Sequence, residues 1–262
     1  MLDRPGFLLK VLRMIEPRRL PVVLAGIIFV CVAGCTSDHH KSDASAAATQ
    51  PTRASAAIGA ASSSSSTEAG FTPIFNGHDL TGWTYGNKAG QGYAVRDDDE
   101  KPVIYCTVAD GGNLYTEKEY PNFILRFEFK LTPGANNGIG IRAPLSGNTA
   151  YLGMEIQVLD DSAERYAHLR PAQYHGSIYD VVPAERWHQK PVGEWNSEEI
   201  TADGRHIKVV LNGATIVDAN LDEVKDPVKL AKHPGLQNKT GHIGFLGHGA
   251  EVEFRNLRVK EL

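Results

Sequence analysis

The chain has 262 residues, of which 42% are apolar, so it is long enough to form one large domain with a hydrophobic core. Its 27 basic and 31 acidic residues give a formal charge of −4. Because no basic excess is present to neutralise phosphates, we expect no nucleic-acid partner. The 26 glycines and 14 prolines favour a turn-rich protein built mainly from β-strands.

Residues 1–34 are typical of a bacterial lipoprotein signal peptide. Arg18 and Arg19 precede an apolar run, residues 20–33, that is short for a membrane span and usual for a secretory signal. The run ends in "VAGC", which resembles a lipobox with Cys35 as the lipidated residue. We therefore expect a lipid anchor in the bacterial cell envelope, either periplasm-facing or at the outer membrane. The alternative is a signal peptide cleaved elsewhere, with an incidental cysteine.

Residues 35–70 are rich in alanine, serine and threonine. Such a segment buries too little apolar surface to offset the entropy lost on ordering, so we expect a disordered tether between the lipidated cysteine and a folded domain, residues 71–262. Cys106 is the one cysteine within that domain. It lies in the apolar segment "PVIYCTV", which predicts a packed core residue rather than a nucleophile.

The domain has an apolar period of two, which predicts β-strands. The segment "NFILRFEFKL" alternates cleanly, and Asn212-Gly213 is a strong hairpin signal because both positions tolerate positive φ. Helix is scarce, since residues 221–233 predict at most a short turn that Pro227 breaks. Further strands are expected at residues 92–96, 102–108, 137–143, 152–159, 175–180, 241–247 and 250–262. The pattern predicts an all-β sandwich or barrel.

An ordered series of motifs in residues 71–262 resembles the 3-keto-disaccharide hydrolase family. The motifs are "FTPIFNGHDLTGW", "PNFILRFEFKLTPGANNGIGIR", "MEIQVLDD", "GSIYDVVP", "KPVGEWNSEEI", "VVLNGATIVD" and "HIGFLGHGAEVEFRNLRVKEL". The resemblance implies an all-β, concanavalin-like jelly-roll β-sandwich of two curved antiparallel sheets. It also implies a carbohydrate ligand, bound in a groove on the concave face of one sheet.

Strand alternation predicts which side chains face that groove. In "NGIGIRA", Ile139 and Ile141 are expected in the core, so Gly138, Gly140 and Arg142 share the opposite face. The glycines leave space there, and the guanidinium supplies a cation with planar hydrogen-bond donors. The alternative is a bulge or close backbone packing with a surface arginine.

The strand "MEIQVLDD" carries the main catalytic candidates. Its apolar residues commit Glu155 and Gln157 to the groove side, and Asp160 completes an E-x-Q-x-x-D pattern. This pattern resembles the E-x-D-x-x-E strand of laminarinase-type glycosidases, but an amide replaces the middle acid, which weakens a double-displacement mechanism. His248 in "GHIGFLGHG" stands where the family carries a histidine.

Four further residues are candidates for substrate binding. Tyr179 and the preceding His175 lie in or beside "GSIYDV", and Tyr179 suits a sugar-stacking platform or a hydroxyl hydrogen bond. Trp195 and Asn196 come from "GEWNSEEI". For these two, packing of the tryptophan and a turn role of the asparagine are an equal alternative.

The resemblance implies cleavage of 3-keto-glucosides or 3-keto-disaccharides. A C3 ketone acidifies the C2 proton, and the leaving group on C1 is β to the carbonyl, so one base can start an elimination that water addition completes. We expect Glu155 as the first candidate base, His248 as a competing base or acid, and Arg142 as the stabiliser of oxygen charge. A divalent metal ion on Glu155, Asp160 or His248 is an alternative to Arg142.

Two other function classes stay open at this point. The same groove would suit a non-catalytic, lectin-like lipoprotein that only binds carbohydrate, or a conventional glycosidase acting on unoxidised sugars.

Overall fold

The computed structural model describes residues 68–86, 92–98, 101–107 and 111–262. The expected signal peptide, the expected lipidation site Cys35 and most of the expected tether lie outside these residues. Glu68, which the sequence analysis placed in the tether, forms ion pairs with Arg126 and Arg258 of the sandwich. In the described part of the chain, no helix is long and apolar enough to cross a membrane.

Nearly all regular structure in the described residues is β-strand. The strands are β1 (Thr72–Pro73), β2 (Trp83–Tyr85), β3 (Tyr93–Asp98), β4 (Lys101–Cys106), β5 (Gly112–Glu119), β6 (Phe123–Leu131), β7 (Asn136–Ala143), β8 (Met154–Leu159), β9 (Asn196–Asp203), β10 (His206–Leu211), β11 (Ala214–Asn220), β12 (His242–Gly247) and β13 (Val252–Glu261). The helices are α1 (Thr149–Leu152) and α2 (Pro227–Lys232), and short 3-10 turns lie at Glu164–Tyr166, Pro171–Gln173, Leu221–Glu223 and Pro234–Gln237.

These strands form two sheets in which every pair is antiparallel. The eight-stranded sheet has the order β11-β10-β9-β6-β13-β4-β3, with β1 paired to β13. The five-stranded sheet has the order β2-β5-β12-β7-β8. Sequence neighbours such as β5 and β6 lie in different sheets, as in a jelly roll. The predicted concanavalin-like β-sandwich is confirmed.

The core fills the space between the two sheets. Phe245 of the five-stranded sheet stacks on Phe254 of the eight-stranded sheet with 4.1 Å between ring centroids, and Trp83 stacks on Phe245 at 5.2 Å. Cys106 is fully buried in this core, as the apolar segment around it predicts. Burial of apolar rings from both sheets is the main favourable contribution to this packing.

Three details of the predicted elements are wrong. Pro227 begins α2 instead of breaking a turn, because Asp226 caps the helix and proline tolerates its first position. Residues 175–180 form no full strand; Ile178 makes isolated bridges with Ile156 of β8 and with Val182. Strands β5 and β9 were not predicted, since their polar residues obscure the alternation.

The expectation that Arg142 faces the groove is also wrong. Arg142 has a φ of 46°, so the regular alternation of β7 ends there. Its side chain is 2% exposed and donates to the backbone oxygens of Pro121 (2.9 Å), Gly204 (2.7 Å) and Asn238 (3.2 Å). It also donates to Oδ1 of Asn122 at 3.1 Å. The guanidinium therefore joins three connecting segments and does not reach Glu155.

We expect the substitution Arg142→Lys to lower the free energy of unfolding by about 2–4 kcal/mol, because an ammonium cannot satisfy these acceptors with the same geometry. Urea denaturation followed by circular dichroism measures the change. The matched control is Arg170→Lys, a 63% exposed side chain whose loss is expected to stay below about 1 kcal/mol. Equal stability of the two variants would contradict this role for Arg142.

Candidate active site

A row of four residues crosses the outer face of the five-stranded sheet. Tyr115 of β5 pairs with Gly244 of β12, which pairs with Gly140 of β7, which pairs with Glu155 of β8. A Cβ added at Gly244 would overlap the Tyr115 ring. The Tyr115 ring therefore lies over Gly244, Thr149 and Leu246 lie over Gly140, and a pocket lined by Thr149, Leu246 and Glu155 opens on this face.

Glu155 lines this pocket. Its residue is 5% exposed, and Oε1 is buried without a hydrogen-bond partner. The carboxylate leans across Gly138, where any added Cβ would overlap it. Nε2 of His248 lies 4.0 Å from Oε1, beyond hydrogen-bond distance, and the imidazole is 46% exposed at the mouth. The structure thus brings together the two residues predicted as base and acid.

The pocket has a volume of about 250 Å³. Its lining combines the two candidate catalytic side chains with small, polar and apolar groups, namely Asn113, Gly147, Asn148, Thr149, Glu155, Leu246 and His248. Among these lining residues Glu155 is the one carboxylate. The pocket is therefore suited to a neutral, hydroxyl-rich ligand and offers one general base.

A hydrogen-bond chain forms the wall opposite Glu155. The Asn113 amide donates to the Tyr115 hydroxyl at 2.9 Å, and the Tyr115 oxygen lies 2.6 Å from Oγ1 of Thr149. Burial raises the pKa of the Tyr115 hydroxyl, and the negative charge of Glu155 raises it further, although both hydrogen bonds oppose the shift. Tyr115 therefore stays protonated at neutral pH and holds Thr149 in place.

Gln157 and Tyr179 lie on the same face, as alternation predicts, but beside the pocket. The Tyr179 N–H donates to the Glu155 backbone oxygen at 2.8 Å, so Tyr179 lies next to Glu155 across the edge of β8. Gln173 donates to the Tyr179 hydroxyl at 3.0 Å, and Gln157 donates to the Gln173 backbone oxygen at 3.4 Å. Oε1 of Gln157 is buried without a partner, so one acceptor remains available on this side.

Asp160 does not join Glu155, contrary to the predicted groove position. Its two carboxylate oxygens accept from the backbone N–H of Gly134 (2.7 Å) and from the backbone and hydroxyl of Ser162 (3.0 and 2.5 Å). Asp160 therefore closes the turn after β8. His175 lies behind β8 in the core, where Nε2 is 3.3 Å from the buried carboxylate of Glu198.

Trp195 and Asn196 also lie away from the pocket. The Trp195 ring packs on the outer face of the eight-stranded sheet, under Arg255 at 3.8 Å and near Lys130 at 4.9 Å. Oδ1 of Asn196 accepts from the backbone of Lys190 at 2.8 Å, and this contact fixes the start of β9. Trp195 is therefore a packing residue and Asn196 a turn residue, and neither lies where substrate binding was predicted.

The predicted metal ligands are not gathered in one place. Glu155 and His248 share the pocket, but Asp160 is occupied elsewhere. Within the residues described, no group of three His, Cys, Asp or Glu side chains has the arrangement of a metal site. Of the predicted ligands, the structure therefore places Glu155 and His248 together and Asp160 apart from them.

The sequence analysis missed three polar side chains of the pocket, those of Asn113, Asn148 and Thr149. Asn113 was missed because its strand, β5, was not recognised. Asn148 and Thr149 begin α1, where Asn148 caps the helix by accepting from the Ala150 N–H at 3.0 Å. The sequence Asn-Thr-Ala after a glycine is a helix-start signal, and it could have located them.

The fold defines the class of protein, a concanavalin-like jelly roll, and its five-stranded sheet carries a polar pocket that contains Glu155 and His248. A family described as the 3-keto-alpha-glucoside-1,2-lyase-like domain matches residues 70–260. The chain belongs to this family, and it is a hydrolase-like enzyme.

Known relatives agree with this assignment. The chain is similar to a 3-keto-disaccharide hydrolase of Bacteroides thetaiotaomicron, with 29% identity over 228 residues that cover 74% of this chain and 79% of the relative. Two solved structures of candidate glycosyl hydrolases from Parabacteroides distasonis are also similar. The first has a TM-score of 0.62 and 27% identity over 73% of this chain and 99% of that one. The second has a TM-score of 0.61 and 26% identity, over 74% of this chain and 94% of that one.

We expect Gly138→Ala to lower kcat by about 10- to 100-fold with little loss of stability, because the added methyl group displaces the Glu155 carboxylate. Steady-state kinetics on a 3-keto-glucoside, together with a thermal melt, measure both effects. Gly140→Ala is the comparison, since its Cβ meets Thr149 at 3.0 Å and Leu246 at 3.3 Å but not the carboxylate. Its loss of kcat should be smaller. Full activity of the Gly138→Ala protein would refute the placement of Glu155.

Proposed function

We propose that the protein cleaves 3-keto-glucosides or 3-keto-disaccharides by removing the C2 proton, eliminating the C1 substituent and adding water. The observation that carries the proposal is the buried Glu155 carboxylate, whose Oε1 has no hydrogen-bond partner in a pocket of sugar-binding composition. Family membership and the similar 3-keto-disaccharide hydrolase support the substrate class.

Glu155 acts as the general base. Its Oε1 has no hydrogen-bond donor and is therefore free to accept a proton from the substrate. A conventional glycosidase needs two carboxylates on either side of the glycosidic bond. The lining residues supply one carboxylate, so the pocket favours a reaction started by a single base.

Thr149 and His248 complete the reaction. With Asn113 donating to Tyr115, the tyrosine proton is directed to Thr149, whose own hydroxyl proton is then available to the C3 oxygen as enolate charge develops. His248, at the mouth, donates a proton to the departing C1 oxygen.

The atoms balance over two steps. The C2–H bond breaks with the proton moving to Glu155, the C1–O bond breaks with the leaving oxygen taking a proton from His248, and a C1=C2 double bond forms. Water then adds its hydroxyl group to C1 and gives its remaining proton to His248, while C2 takes the proton held by Glu155 after that proton has exchanged with solvent. The products are a 3-keto-sugar and the released alcohol or sugar, which is the stoichiometry of hydrolysis.

Glu155→Gln should lower kcat/KM on p-nitrophenyl 3-keto-α-glucoside by about 10²- to 10⁴-fold, the usual contribution of a general base. A thermal melt and ligand binding check that this isosteric variant folds and retains its pocket. The reaction of the unaltered protein in D₂O should place one deuterium at C2 of the product. Unreacted substrate and product incubated without enzyme serve as controls for spontaneous exchange.

Three outcomes would contradict this mechanism. Cleavage without deuterium at C2, together with an unchanged rate for a substrate that carries deuterium at C2, would indicate direct displacement. Cleavage of the unoxidised p-nitrophenyl glucoside at a similar rate would indicate a conventional glycosidase. Binding of the 3-keto-glucoside without turnover by the unaltered protein would indicate the lectin-like alternative.

We also propose that the enzyme is anchored in the bacterial cell envelope by lipid on Cys35. The support is the basic flank, the apolar run and the "VAGC" sequence described above. The residues between this cysteine and the sandwich would then act as a spacer that holds the pocket away from the membrane surface.

Cys35→Ser should move the protein from the membrane fraction to the soluble fraction of the cell envelope, because the acyl chains provide the attachment. Detergent phase partition and immunoblotting measure the distribution. Cys31→Ser, which alters the cysteine within the apolar run, should leave the protein in the membrane fraction. A membrane-bound Cys35→Ser protein would exclude lipidation as the anchor.

A further inference from the structure

Trp187 is held in an unfavourable conformation on the protein surface. The residue is 72% exposed, whereas Trp83 is 6% exposed and Trp195 is half-buried. Its φ is 76°, a region that bulky side chains rarely adopt. An exposed indole gains little from burial, and a positive φ opposes folding. Neither feature helps the sandwich to form, so a role in binding accounts for both.

A stack of three side chains orients the indole. The Arg186 guanidinium lies 3.5 Å from the ring centre of Tyr174 and 4.1 Å from that of Trp187. Nε of Arg186 is also 3.6 Å from the buried carboxylate of Asp161. Tyr174 is 5% exposed and anchored in the protein. One face of the Trp187 ring is therefore fixed against Arg186, and most of the rest of the ring stays open to solvent.

The indole borders a second pocket of about 250 Å³, separate from the one that contains Glu155. Its lining mixes carboxylate, amide, hydroxyl and ammonium groups with short apolar surfaces, namely Leu131, Asp160, Asp161, Ser162, Trp187, Gln189, Lys190, Pro191 and Val192. An aromatic ring beside such polar groups matches a pyranose, whose C–H face stacks on a ring while its hydroxyls take hydrogen bonds.

We propose that Trp187 and this pocket form a second carbohydrate subsite, which binds a hexopyranose unit of an oligosaccharide. This inference rests on the proposed function in one respect, because both take carbohydrate to be the class of ligand. Glu155 and Asp160 are five residues apart on one extended segment, or roughly 16 Å at about 3.3 Å per residue. A single sugar ring cannot contact both pockets, so the second one serves to hold longer chains at the enzyme.

Isothermal titration with unoxidised maltotetraose, cellotetraose and laminaritetraose tests the site. We expect at least one of them to bind, and Trp187→Ala to weaken that binding by about tenfold or more while Trp187→Phe retains most of it. Trp187→Ala should cleave p-nitrophenyl 3-keto-α-glucoside with unchanged kcat/KM, because that substrate is too short to reach the second pocket. Val228→Ala, which removes a side chain with 74% exposure, is the control and should bind like the unaltered protein.

The inference is overturned if none of the three oligosaccharides binds, if Trp187→Ala binds as tightly as the unaltered protein, or if Val228→Ala loses binding equally. A failure of the proposed function would look different. It would appear as absence of turnover of the 3-keto-glucoside by the unaltered protein, whether or not the oligosaccharides bind.

Discussion

The active pocket depends on one packing constraint: apolar side chains of β7, β8 and β12 must fill the space between the sheets. Because successive side chains on a strand point to opposite faces, burying Ile139, Ile156 and Phe245 forces their neighbours onto the outer face. On that face, Gly138 leaves the space that the Glu155 carboxylate occupies, and Gly140 is the residue that pairs with Glu155. The burial of these apolar residues thus sets the face on which the Glu155 carboxylate lies.

The chemistry of the pocket follows from how its polar groups are satisfied. Most buried polar atoms in proteins have partners, and an exception at the centre of a pocket indicates a place where substrate supplies the partner. Oε1 of Glu155 is such an exception, whereas the hydroxyls of Tyr115 and Thr149 are mutually bonded. An unpaired carboxylate near an ordered donor chain is what the proposed elimination requires. Arg142, by contrast, satisfies backbone acceptors and contributes to the fold.

Strand β7 shows where prediction from sequence loses accuracy. Up to Gly140, β7 follows the alternation that its sequence predicts, and the glycines face the pocket as expected. At Arg142 the positive φ turns the side chain away. Arginine rarely adopts a positive φ, so the sequence gives no signal for this change. Asn113 was missed for a related reason, since the polar residues of β5 hide a strand that tertiary pairing stabilises.

The sequence by itself determined the sandwich, the outward orientation of Glu155 and Gln157, and the family, because these depend on local alternation and on an ordered series of motifs. Only the tertiary structure decided that His248 meets Glu155, that Asn113 and Thr149 form the facing wall, and that Asp160, His175 and Trp195 lie elsewhere. Those contacts join residues distant in the chain, and their geometry depends on sheet order and register, which local patterns do not specify.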